Sequence, residues 1–541
     1  MGHRDNQAGP WWHEAVFYQV YPLSFQDAND DGLGDLRGVI SRLDYLADVL
    51  GVDALWLSPF YRSPMRDWGY DISDHCDVGP VFGSLEDARD LIELVHARGM
   101  RVIVDYVINH TSDEHPWFVE SRSSRDNPKR DWYVWRDGRD GGPPTNWVSV
   151  FSGPAWTVDP TTGQWYRHTY LPEQPDLNWR NPELVEAMLD VARFWLDMGV
   201  DGFRVDAAHQ MMKDPRERDN PPAPADYHRP WKDMGPYDDF IHLYDYGHPD
   251  VHDIHRLFRS VIDSYDRDAV SVGEIHIFDL PEWASYYGEN FDQLSMPFNF
   301  HLMASDWDAA SLRATVEATL WNIPSGGWTN WTLGNHDEVR LATRLPHGQE
   351  RLAALLLLTL RGTPFLYYGD ELGMEEAEIS DDAARDPWGI HVAHLSRDGA
   401  RTPMQWSPGP NAGFTSPGVT PWLPLGASHQ VVNVESEMED PESILNMYRR
   451  LLGLRRAWQV LRTGTLLSSP SSTDEVFAFV REWEGSKMTV ALNFDTVPHS
   501  IDVDPGSVVF STGDPGRDDE VMETLKLGPH EGVVVMHHRS P

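Results

Sequence analysis

The sequence predicts an α/β fold: a (β/α)8 TIM barrel with an inserted subdomain after strand 3 and a C-terminal antiparallel β-domain. Three observations lead there. Eight short apolar runs alternate with longer segments of helical periodicity, the pattern of βα units that feed a parallel sheet. A long stretch rich in Trp, Pro, Gly and Asp interrupts the series after the third run. From residue 461 the chain changes to short β-like runs between turn residues.

The strands are expected over 15–22, 53–59, 101–110, 202–209 and 269–276, with a weaker sixth over 293–297, then 330–337 and 363–371. Between them DLRGVISRLDYLADVLG, SLEDARDLIELVHARG and NPELVEAMLDVARFWLDMG are amphipathic, and each ends on a glycine suited to a left-handed helix stop. The barrel is assigned to 1–110 and 182–460. Residues 111–181 are too many for a structureless loop and are read as the inserted subdomain. A polar insertion over 373–425 follows the eighth strand. After the helix of DPESILNMYRRLLGLRRAW, the runs VFAFVREW, MTVALNF, GSVVFST and GVVVMHH make a β-domain over 461–541.

Composition narrows the function. The chain has 541 residues and a net charge of −41, from 44 Lys and Arg against 85 Asp and Glu. That balance argues against nucleic acid and anionic membrane surfaces and for a neutral or cationic substrate. With only five lysines, the acidity fits either a halophilic protein, kept soluble in strong salt, or an arginine-rich coding background. The single cysteine, Cys76, rules out an internal disulfide framework and is read as a small core residue. The N-terminus lacks an apolar signal core, which is read as cytoplasmic. The longest apolar run, 352–360, is far short of the ~20 residues that span a bilayer and is expected as a buried barrel helix.

In a barrel enzyme the working residues sit where strands end at the carboxyl face. Here those ends carry Asp105, His110, Arg204, Asp206, Glu274, His336 and Asp337. Buried charge is costly unless paired, so converging acids need a chemical reason. Paired carboxylates suit glycosidic bond cleavage, in which one attacks the anomeric carbon and the other protonates the leaving oxygen. Arg204, two residues before Asp206, shares its face of the strand and is placed to keep that carboxylate ionised as a nucleophile. Glu274, with a longer side chain on the next strand, is the better proton donor.

DYVINH, GFRVDAAH, GEIH and NHDE resemble, in order, the four catalytic motifs of glycoside hydrolase family 13, the α-amylase family. QPDLNW, WWHEAVFYQVYPLSFQDANDDGLGDL, GYDISD and RTPMQW are similar to its α-glucosidase and oligo-1,6-glucosidase branch. The resemblance implies Asp206 as nucleophile, Glu274 as acid/base and Asp337 as the third carboxylate, with His110, His336 and Arg204 lining the first sugar subsite. It implies that Asp71 and Arg401 close the pocket behind the non-reducing end and that Tyr70 stacks on the sugar. Ala207, where similar enzymes that favour α-1,6 bonds carry Val, implies α-1,4 preference.

Residues 27–35, DANDDGLGD, place oxygen atoms at alternate positions with a glycine sixth, as at the start of an EF-hand loop, but position twelve is Gly38 instead of Glu. The simpler alternative is a turn that caps a helix starting near Asp35. In the branch resembled, the matching positions hold a divalent cation. This implies a structural Ca²⁺ held by Asp27, Asn29, Asp31, the Leu33 carbonyl and Asp35, and no organic cofactor.

The expected activity is retaining exo-hydrolysis of small neutral oligosaccharides such as maltose, with transfer to alcohols as a side reaction, by a monomer or homodimer. The alternatives are an oligo-1,6-glucosidase or a trehalose synthase-like or isomaltulose synthase-like isomerase. A more distant one is a non-catalytic protein similar to amino-acid-transporter heavy chains, against which the complete set of carboxylates speaks.

Overall fold

The computed structural model describes residues 9–521 and 523–538. Eight parallel strands run round a barrel: β1 Phe17–Val20, β2 Ala54–Leu57, β3 Arg101–Val107, β4 Gly202–Asp206, β5 Val270–Gly273, β6 Met296–Pro297, β7 Asn330–Thr332 and β8 Thr363–Tyr367. Ladders join β1 through β6 in sequence order, and join β7 to β8 and β8 back to β1. Between β6 and β7 a side chain makes the join. Asn330 donates Nδ2–H to the Pro297 carbonyl at 2.8 Å and accepts at Oδ1 from the Asn299 N–H at 2.9 Å.

The strands alternate as a buried barrel requires. Phe17, Trp56, Ile103, Val272 and Phe365 form an inner cluster, with the Phe17 and Phe365 rings stacked at 4.6 Å. Their neighbours Tyr18, Leu55, Val104 and Leu366 belong to the larger cluster that packs under the helices. Two residues further along the inward rows of β1 and β3, the apolar layer gives way to Gln19 and Asp105, both buried. This change from apolar filling to polar groups is what places chemistry at the carboxyl ends.

The helices follow the strands in turn: α1 Leu36–Ser41, α2 Leu85–Ala97, α3 Pro182–Met198, α4 Val251–Asp263, α5 Leu280–Ser285, α6 Ala309–Asn322, α7 Glu350–Thr359 and α8 Ile444–Ala457. Ser84 and Asp87 form a capping box on α2, and Asn181 caps α3 ahead of Pro182. The three glycines expected to stop helices, Gly51, Gly99 and Gly199, have φ of 82°, 75° and 118°. From Leu352 to Thr359 helix α7 is buried on all sides, with α8 and the C-terminal sheet packed against it.

Residues 111–181 contain the helix Pro116–Ser123 and a three-stranded antiparallel sheet of Trp135–Arg136, Trp165–Arg167 and Trp156–Val158. After α8 the chain forms a six-stranded antiparallel sheet beside a two-stranded one. Arg481 of that sheet, fully buried, donates to the carbonyls of Thr359, at the end of α7, and Gly464. No helix among the described residues is long and apolar enough to cross a membrane. Cys76 is free and half-buried, not a core residue as expected, because it lies in the short edge strand Asp74–Val78. The signal-free reading of the N-terminus draws partly on residues 1–8, which lie outside the described residues.

Candidate active site

Strand register explains the centre of the site. β3 sets Asp105 beside Arg204 of β4, and β5 sets Val272 on its other side, with Glu274 one residue past the strand end. The buried Arg204 guanidinium donates from Nη1 to Asp105 Oδ1 at 2.5 Å and to Asp206 Oδ1 at 2.7 Å, and its Nη2 lies 2.9 Å from Glu274 Oε2. One cation therefore bridges the two carboxylates expected to do the chemistry. Glu274 Oε2 also accepts from the Ala207 N–H at 2.8 Å, and Oε1 lies 2.7 Å from His276 Nε2. Ala207 has a left-handed φ of 44°, uncommon for a residue other than glycine. That bend, directly after β4, turns its N–H toward Glu274.

The two acids are pushed apart. Burial raises the Asp206 carboxyl well above its usual range, with the Glu274 charge adding to it and Arg204 opposing. Burial pushes Glu274 upward as well, but Arg204 and His276 outweigh it and hold the group below its usual range. The proton that the pair shares therefore favours Asp206, against the expectation that Arg204 keeps that carboxylate ionised, because Arg204 holds both acids and His276 adds to Glu274 alone. Cleavage by these two groups requires that proton to stand on Glu274 when the sugar is bound.

Asp337, at the carboxyl end beyond β7, is tied down differently. Its Oδ1 accepts from Arg401 at 2.8 Å and Arg397 at 3.1 Å, and His336 Nε2 lies 3.2 Å from Oδ2. Burial opposes ionisation, yet His336 and the two guanidinium groups hold the carboxyl well below its ordinary range. It is a fixed negative charge.

Asp206, Glu274 and Asp337 share one cavity with Tyr70 and His110. Burial lowers His110 to about 4, so its imidazole is neutral near pH 7. Arg204 and His336 sit one layer behind the wall. His336 touches Gln19 Nε2 through Nδ1 at 2.7 Å and the Tyr70 hydroxyl through Nε2 at 2.7 Å, so it orients Tyr70 and Asp337. Ala207 is also fully buried behind the wall, and its N–H is what reaches the site.

The expected closing pair is displaced by four residues at each end. Asp71 is fully buried and accepts from the Ser63 hydroxyl and the N–H groups of Arg66 and Asp67, all within 2.9 Å. It organises its own turn, and burial raises its carboxyl to about 6. Arg401 is spent behind the wall on the His336 carbonyl at 2.8 Å and on Asp337. The ion pair that lines the cavity is Asp67 with Arg397, at 2.8 Å, and Arg397 is anchored by Asp386 at 2.6 Å.

Other wall residues escaped sequence reasoning. Phe151 and Tyr170 come from the inserted subdomain, Trp388 from the excursion after β8, and Arg229, Trp231, Met234 and Tyr237 from 207–250 between β4 and α4. The only available signal for the last group was the unusual length of that connection. It has no periodicity to read.

In the 27–35 loop, Asp27 accepts from the N–H groups of Asn29, Asp30 and Gly32, Asn29 from Asp31, and Asp31 from Leu33. Asp35 caps α1 through the Gly38 N–H at 2.7 Å, as the simpler alternative expects. Burial raises the Asp35 carboxyl, and the charges of Asp27 and Asp31 add to it. Three carboxylates and an amide suit a hard cation by donor type. Among the described residues, no three His, Cys, Asp or Glu side chains converge as a metal cluster.

Residues 19–464 match the family model described as alpha amylase, catalytic domain. The chain belongs to the α-amylase family, glycoside hydrolase family 13. Within that family it is 44% identical over 476 residues, 84% of each chain, to a probable alpha-glucosidase of Rhizobium meliloti (strain 1021). It is 36% identical over 568 residues, 97% of this chain and 98% of the other, to an oligo-1,6-glucosidase of Parageobacillus thermoglucosidasius. Among solved structures, the alpha-glucosyl transfer enzyme XgtA shares 42% identity and a TM-score of 0.91 over 98% of this chain and 100% of that one. The barrel with its C-terminal antiparallel sheet is the architecture that the alternation of strands and helices predicted.

Proposed function

We propose that the protein is a retaining, exo-acting α-glucosidase that removes terminal α-linked glucose from short oligosaccharides. The observation that carries this is the Arg204 bridge between Asp206 and Glu274, in a cavity that also holds Asp337 and the Asp67–Arg397 ion pair. Asp206 attacks the anomeric carbon as the glycosidic bond breaks, and Glu274 gives its proton to the leaving oxygen. In the second half, water or an alcohol loses its proton to Glu274 while its oxygen displaces Asp206 from the sugar. Asp337, held ionised, and Arg397 suit the sugar hydroxyls, and the Asp67–Arg397 pair ends the groove at the non-reducing end.

Initial rates on maltose, isomaltose, maltotriose and sucrose test the reading. Maltose is expected to exceed isomaltose in kcat/KM within the roughly 10- to 200-fold that a few contacts supply. Ala207→Val is expected to shift the ratio toward isomaltose, and also to lower Tm because a β-branched residue resists φ of 44°. Isomaltose as the better substrate would favour an oligo-1,6-glucosidase. Trehalose formed from maltose, or isomaltulose from sucrose, would make it an isomerase.

The loop of Asp27, Asn29, Asp31 and Asp35 is proposed to hold a structural Ca²⁺. Chelation, or Asp31→Ala, is then expected to lower Tm far more than it changes kcat/KM at moderate temperature, since a ligand of the folded state stabilises by mass action. Equal melting curves for chelated and Ca²⁺-loaded protein would remove the ion. The −41 charge is proposed as a halophilic adaptation, for which Tm is expected to rise steeply from low to molar salt. A flat profile would favour the coding-background origin.

A further inference from the structure

Glu274 has a partner that the cleavage chemistry alone does not require. Ala207 and Arg204 occupy its Oε2, while His276 Nε2 meets Oε1 at 2.7 Å. His276 is clamped between two aromatic rings: Phe300, with centroids 4.5 Å apart and planes at 7°, and Trp231, at 4.6 Å and 20°. His209 stands edge-on at 5.9 Å. His276 Nδ1 is buried without a hydrogen-bond partner. A proton there would be a buried donor with no acceptor, a costly arrangement, so the hydrogen-bond network assigns the proton to Nε2. The ring therefore donates to Glu274, and donation to a carboxylate favours its ionised form.

We propose that His276 is a positioning residue for the acid/base: its Nε2–H holds Glu274 Oε1 and biases the glutamate toward the base half of the cycle. In that half the acceptor O–H bond breaks, its proton goes to Glu274, and its oxygen bonds to the anomeric carbon as the Asp206–carbon bond breaks. The proposal rests on Glu274 being the acid/base. The low-lying carboxyl of Glu274, to which His276 contributes, agrees with it.

Other groups face Glu274 from the neighbouring elements. They are Arg204 and Asp206 from β4, His209 just beyond it, whose imidazole burial lowers to about 3, Asp105 from β3 and Asp337 from beyond β7. Tyr170 and Tyr246 face it too, with phenols that burial keeps protonated. Glu338, paired with Lys232 at 2.8 Å, lies within electrostatic reach of His276. Changing His276 leaves all of these in place.

The test is the pH profile of kcat/KM on maltose for His276→Phe and His276→Leu, which lack a donor, and for His276→Gln, which keeps one. Without the donor Glu274 holds its proton to higher pH, so the alkaline limb is expected to move up by about one pH unit in both donorless variants. It should stay near wild type in His276→Gln. On p-nitrophenyl α-glucoside, whose leaving group needs little proton donation, the limb should move less in every variant. An unmoved limb without the donor, or a Gln variant shifted as far as Phe, would overturn the proposal; either donorless variant suffices if the other fails to fold. A wild type that hydrolyses neither substrate would instead overturn the reading of the site.

Discussion

Asp206→Asn is expected to lower kcat on maltose by about 10⁴-fold or more, the scale on which loss of a covalent nucleophile acts. The acids that surround it are all engaged. Glu274 is held at both oxygens, Asp105 is fully buried against Arg204 and Trp56, and Asp337 is fixed by Arg397 and Arg401. Asparagine keeps the size of the side chain and an oxygen for Arg204, so folding and sugar binding should persist. The check is kcat beside Tm and maltose affinity, with mass spectrometry for a glucosyl-enzyme. A variant that kept a tenth of wild-type turnover would make the assignment wrong.

Glu274→Gln is expected to divide the two half-reactions. On maltose, whose leaving group needs a proton, the loss should be about 10²- to 10⁴-fold, the range of general acid catalysis. On p-nitrophenyl α-glucoside the first step needs little help, but deglucosylation still lacks its base. Stopped-flow should therefore show a burst of nitrophenol followed by slow turnover. An equal loss on both substrates, with no burst, would place Glu274 outside the proton-transfer path.

These two residues stood out in the sequence as acids at strand ends, where burying a charge needs a reason, while their roles came from the resemblance of GFRVDAAH and GEIH to the family's motifs. Most of the barrel was legible because alternation and helix stops are local signals. The sixth strand was faint because Met296–Pro297 is too short to carry a pattern, and Asn330 does part of the work of a ladder. The pocket's ion pair failed for another reason. RDWGYD holds two aspartates and SRDGAR two arginines, each pair four residues apart, and only the turn that consumes Asp71 leaves Asp67 to meet Arg397. Trp231 and Arg229 were invisible because their connection folds against the site through tertiary contacts, without a repeat of its own. His276 lies within GEIH, yet its placement depends on two rings, Trp231 and Phe300, that are distant in the chain.

Retention through Asp206 is tested most directly by the anomer of the first glucose released. Proton NMR recorded within the first minutes of p-nitrophenyl α-glucoside hydrolysis, before mutarotation, distinguishes the two outcomes, because the only glucose released is the one from the cleaved bond. Two displacements at one carbon restore the original configuration, so α-glucose should appear first and β-glucose should grow in only at the mutarotation rate. β-Glucose as the first product would mean direct attack by water and would contradict the covalent role of Asp206.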